Sequence, residues 1–76
     1  MANIQIYKDA ALYTDQFGVG LVRDENAVRA EIDAWCAEHG FVPDTATTMF
    51  NPVFSPMLGE EDTQVATEIT MWLVRV

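Results

Sequence analysis

A chain of 76 residues carries twelve carboxylates against four basic side chains, a formal charge of -8, while half of its residues are apolar. The apolar half, with two Trp, two Tyr and four Phe, excludes a disordered acidic tail. The charge excludes binding to DNA, RNA or anionic lipid through phosphates, because those partners demand Lys and Arg. So short a chain makes one domain, spanning residues 1–76, near the lower limit at which a single core suffices. The lone Cys36 cannot close an intramolecular disulfide, which points to a reducing compartment. Residues 1–6 show neither a basic leader nor an apolar signal core. Outside the proline-broken segment described below, no apolar run is longer than four residues, the length of Met71, Trp72, Leu73 and Val74, where a membrane helix needs about 20 residues. The expectation is a soluble, cytoplasmic domain.

Residues 3–8 alternate, with Ile4 and Ile6 pointing one way and Gln5 and Tyr7 the other, as a half-buried strand does. A turn is expected at residues 9–11. Residues 12–16 show no clear pattern, and a second strand is expected over residues 17–22, weakened by Gly18 and Gly20. Residues 24–39 read as a helix. Asp24 is an N-cap, Glu25 favours the positive end of the dipole, and Val28, Ile32, Trp35, Cys36 and His39 make one apolar stripe. Gly40 suits the left-handed position after the last turn, and Pro43 forbids continuation.

Residues 44–48 lean towards β structure with little pattern. Pro52 and Pro56 exclude a central strand over residues 49–58 and leave an edge strand or an extended loop. Residues 59–62 form an acidic turn, and residues 64–76 a long strand. In that strand Val65, Thr67, Ile69, Met71 and Leu73 share one face, while Ala66, Glu68, Thr70, Trp72, Val74 and Val76 share the other. The fold class is therefore α+β, in β-β-α-β-β order, with a mainly antiparallel sheet and one helix packed on one face. The last strand is apolar on both sides towards its end. Either the proline-broken segment or another molecule is expected to cover the second face.

Chemistry is scarce. Cys36 and His39 stand three apart on the apolar stripe with no orienting acid, so a buried thiol is expected in place of a nucleophile. One Cys and one His cannot make a structural zinc site, and residues 59–62 lack the alternating oxygen ligands of a calcium loop. Gly18 and Gly20 mimic the start of a dinucleotide loop. Arg23 replaces its third glycine, however, and Asp24 and Glu25 would repel a pyrophosphate. No enzyme, cofactor or metal is expected.

The carboxylates are the remaining candidates. Glu31 and Glu38 share one flank of the helix, about 10 Å apart along its axis. Asp33 lies on the other flank and Glu25 in the first turn, while Glu60, Glu61 and Asp62 form a second acidic group. With Phe54 from the proline-broken segment as an apolar contact, these seven are the expected partner-binding residues. Ala27, Ala30, Ala34 and Ala37 line the side of the helix opposite the stripe, where they serve helix formation or close packing.

Size, acidity and lack of motifs give the chain a resemblance in type to the small inhibitors that phages direct against host defences, anti-CRISPR proteins and DNA mimics among them. That likeness is carried by no individual residue. It implies a partner protein with a basic, nucleic-acid-binding surface, engaged without direct contact to nucleic acid or membrane. The alternative is a structural module that forms a homodimer through the Trp72, Val74 and Val76 face or through the alanine stripe.

Overall fold

The computed structural model describes residues 2–18, 21, 23–55 and 63–76. Four strands, β1 (Asn3–Ile6), β2 (Ala10–Phe17), β3 (Phe41–Ser55) and β4 (Thr63–Arg75), form one antiparallel sheet in the order β1-β2-β4-β3. One helix, α1 (Glu25–His39), lies between β2 and β3 in sequence. Strands β2 and β3 both run antiparallel to β4, so they are parallel to each other on its two sides. The chain must therefore cross over between them, and α1 is that crossover, laid on one face of the sheet. The expected α+β architecture and element order are present. No helix among the described residues is long and apolar enough to cross a membrane.

The helix ends where its caps place it. Asp24 is extended, and its carboxylate accepts the Ala27 N–H at 2.9 Å. Gly40 takes the left-handed conformation, φ 75° and ψ 40°, and its N–H donates to the Cys36 carbonyl. Of the apolar stripe, Val28, Ile32 and Cys36 are buried against Tyr13, Phe41, Ile69, Met71 and Leu73. Trp35 packs at the margin of this core, and exposed His39 stacks on it with ring centroids 4.3 Å apart.

Two strands differ from the sequence expectation. The second strand covers Ala10–Phe17, so the turn falls earlier, at Lys8 and Asp9, and residues 12–16 are strand. Its inward side is Ala11, Tyr13 and Asp15, all buried, and the aspartate hides the alternation that would have marked it. Past its end, Gly18 and Arg23 bridge each other, with the Gly18 N–H donating to the Arg23 carbonyl at 2.9 Å. Gly18 sits at φ +151°, where a Cβ would meet the Ala66 Cα at 3.2 Å, so both its backbone and its neighbour require glycine.

The other difference is the length of β3, which absorbs residues 44–48 as well as the proline-broken segment as far as Ser55. Asp44 faces Trp72 while Met49 faces Thr70, so residues 45–48 bulge out opposite Met71. Threonine hydroxyls hold this bulge. The Thr47 hydroxyl donates to the Asp44 carbonyl at 2.7 Å and accepts the Trp72 N–H at 3.0 Å, and the Thr48 hydroxyl donates to the Thr45 carbonyl. As its prolines require, β3 is an edge strand, hydrogen-bonded only to β4.

Candidate functional site

Strand register divides the sheet into two faces. Beneath α1 lie Ala11, Tyr13, Asp15, Ile69, Met71, Leu73 and Phe41, all buried. On the other face one row crosses all four strands, running Gln5, Leu12, Trp72, Asp44. Beside it run Ala10, Val74 and Val42, and on the far side Asn3, Thr14, Thr70 and Met49. As far as Ser55 the proline-broken segment does not fold over this face, because it lies in the plane of the sheet as part of β3, and residues 56–58 lie outside the described residues. Trp72 is 40% exposed, Val74 48% and Val42 52%, so the face is open where its residues are most apolar. Tyr7 tilts against Trp72 with ring centroids 5.8 Å apart, and its hydroxyl donates to Gln5.

The three arginines are all engaged on the helix side, and Lys8 is exposed in the turn between β1 and β2. Arg23 folds back from the loop onto β2, 3.2 Å from Asp15, and reaches Glu31 on α1. The Glu31 hydrogen bond, ahead of its other neighbours, raises its pKa above the ordinary guanidinium value. Asp15 is buried and also accepts the Tyr13 hydroxyl at 3.2 Å and the Gln16 N–H at 2.7 Å. Burial first, then the Asp15 charge, pushes the Tyr13 phenol well above its usual pKa. Arg29 pairs with Glu25 one helical turn away, at 2.8 Å. Arg75, the only Lys or Arg within a strand, points to the helix side, its guanidinium 4.6 Å above the Phe41 ring. Among the described residues no strand places a cation on the open face, which holds Asp44 and Glu68.

The expected partner-binding residues scatter across this arrangement. Glu25 and Glu31 are engaged by Arg29 and Arg23. Asp33 and Glu38 are exposed on α1 and make no ion pair among the described residues. Phe54 is 49% exposed on β3, opposite Gln64, where β3 and β4 run on past β2 as a two-stranded arm. Glu60, Glu61 and Asp62 lie outside the described residues. On the open face, the carboxylates outside the expected set are Asp44 and Glu68. Glu68 was legible, since it shares a side of β4 with Trp72. Asp44 reaches that surface only through the β3–β4 register.

Nucleophilic or metal chemistry finds little support in these positions. The Cys36 thiol is buried, and burial, with a smaller push from Asp33, raises its pKa, which disfavours the reactive thiolate. The His39 ring nitrogen Nδ1 lies 2.9 Å from the Trp35 carbonyl. Among the described residues no three of His, Cys, Asp and Glu are grouped to hold a metal. A cavity of about 110 Å³ between α1 and β3, lined by Arg29, Ile32, Asp33, Pro43, Thr45 and Met71, is smaller than the ~300 Å³ usual for a small-molecule site. The chain matches no family model, no curated protein and no solved structure at a significant level.

Proposed function

We propose that this chain is a small non-catalytic inhibitor or adaptor that uses surplus carboxylates to bind a basic surface on another protein, one that otherwise takes nucleic acid. One observation carries the reading. Arg23, Arg29 and Arg75 are all occupied within the fold, which leaves negative charge without an ion pair among the described residues on exposed Asp33 and Glu38 and on half-buried Asp44 and Glu68. A surplus of eight on so small a body repels itself and exceeds what solubility requires. It speeds encounter with a basic surface and discourages contact with phosphates.

The test is capture of partners on the immobilised chain at low and high ionic strength. A parallel column carries the D33N/E38Q/D44N/E68Q variant. The expected partner has a basic surface, is retained at low salt, elutes at high salt, is lost on the variant and is displaced by polynucleotide. Retention indifferent to salt and to the four substitutions overturns the electrostatic account. A second reading, a homodimer through the open face, is favoured by the exposure of Val42, Trp72 and Val74. Light scattering that shows a monomer at high micromolar concentration removes it.

A further inference from the structure

We infer that the open sheet face is the docking surface and that it takes an arginine-bearing segment of the partner, with guanidinium groups on the Tyr7 and Trp72 rings and Asp44 holding their N–H fork. This rests on the preceding reading of a basic protein partner and adds which surface meets it and with which side chain.

The face combines what a guanidinium needs. Tyr7 and Trp72 form an exposed aromatic pair, and Trp is the strongest cation–π surface among side chains. Asp44 stands directly across the ladder from Trp72, and such paired positions hold their Cβ atoms about 5 Å apart. A planar cation resting on the indole can therefore meet that carboxylate edge-on, through two parallel N–H bonds. Glu68 supplies a second carboxylate four residues back on the same side of β4. Val42, Val74 and Leu12 offer apolar ground for the methylene stem. The fold already builds one such contact for itself, in Arg75 over Phe41. Lysine suits the site less, because its compact ammonium is strongly hydrated and lacks the flat fork.

Charge also argues against a second copy as occupant. A two-fold dimer through this face would bring Asp44 and Glu68 of both chains into one interface, and no strand supplies a cation there.

The experiment is heteronuclear NMR of the full chain, titrated at low ionic strength with an oligoarginine peptide and, separately, with oligolysine of the same length. Shift changes are expected to gather at Gln5, Leu12, Asp44, Trp72 and Val74. Asp44→Asn, which removes charge without removing volume, is expected to weaken oligoarginine binding about tenfold. The D33N/E38Q pair, on α1, is expected to weaken it less than Asp44→Asn does, by long-range charge alone. Oligolysine is expected to bind more weakly and to spare the Trp72 indole resonance. Unchanged core resonances of Ile69 and Leu73 certify that each variant is folded.

Shifts confined to Asp33 and Glu38 on α1, or equal effects of the two peptides on Trp72, overturn the docking surface and leave the basic-partner reading intact. An absence of any salt-sensitive binding overturns both. Open-face shifts that grow with protein concentration before peptide is added name a second copy as the occupant, and the proposal falls.

Discussion

On β4, Ile69, Met71 and Leu73 look onto α1 and are sealed from solvent, while Trp72 and Val74, alternating with them, look the other way and stay open. Both sets are rich in apolar groups. They differ in what surrounds them. The covered side holds the buried Asp15 together with the arginine that compensates it, and the open side holds carboxylates with no strand cation. Apolar content therefore does not by itself decide which face of this sheet forms the core. The helix decides it, and the charge left on the other face suits an external partner.

The contrast breaks most visibly in the core. Leu73 is fully buried between Ala11 and Pro43 in the ladder. Leu73→Ala is expected to cost about 3 kcal/mol in urea unfolding. That is a large share of the ~5 kcal/mol available to so small a domain and leaves only about 2 kcal/mol, so the unfolded fraction at rest rises to a few per cent.

Next in size is the polar cluster on the covered side. Asp15→Asn leaves Arg23 with Glu31 alone and exchanges a charge-assisted acceptor for a weaker one. The expected cost is about 2 kcal/mol by chemical denaturation. The same cluster sets an alkaline limit. Tyr13 has a folded pKa raised above the unfolded value of about 10, so the unfolded chain releases this proton first as pH climbs. Stability from the neutral phenol is intact below about pH 10 and is lost progressively above it. Circular dichroism against pH should show unfolding begin there, and Tyr13→Phe should remove that contribution. A wild-type domain that stays equally stable well above that pH would show the phenol ionising without hindrance.

Smaller again is Gly18, where the loop carrying Arg23 returns to the sheet. Gly18→Ala places a methyl group at 3.2 Å from the Ala66 Cα, at a φ that L-residues rarely adopt. A loss of about 1–2 kcal/mol is expected, read as a lower urea midpoint.

These sites also mark how far the sequence could be read. The helix was legible because capping, stripe and stop signals agree at Asp24, Val28, Ile32, Cys36 and Gly40. The alternation of β4 was legible for the same reason, whereas proline narrowed residues 49–58 only to an edge strand or a loop. Strand β2 was displaced by seven residues at its start because Asp15 breaks the inward pattern, and its burial is made tolerable by Arg23, eight residues away, together with the Tyr13 hydroxyl and the Gln16 N–H. The bulge over residues 45–48 was hidden because hydroxyl-to-backbone bonds leave no hydrophobic period. For the binding surface, a helical wheel placed Glu25 and Glu31 outward but could not show which arginines would claim them. Nor could it place Asp44 beside Trp72, since that neighbour is created by strand register.

The smallest effect sharpens the comparison most. Val74 and Val42 face each other across β4 and β3 on the open side, about half exposed. Val74→Thr keeps the β-branch that suits a strand and adds one hydroxyl, which a wet surface accommodates at little cost. Alone or with Val42→Thr, it is expected to move stability by less than about 0.5 kcal/mol. The same change at a sealed position would strand a hydroxyl and cost on the order of 2 kcal/mol. A urea midpoint that drops as far for V42T/V74T as for Asp15→Asn would mean that this face is covered in solution. A midpoint that also rose with protein concentration would identify the cover as a second copy, because only an associating chain couples its stability to its own concentration.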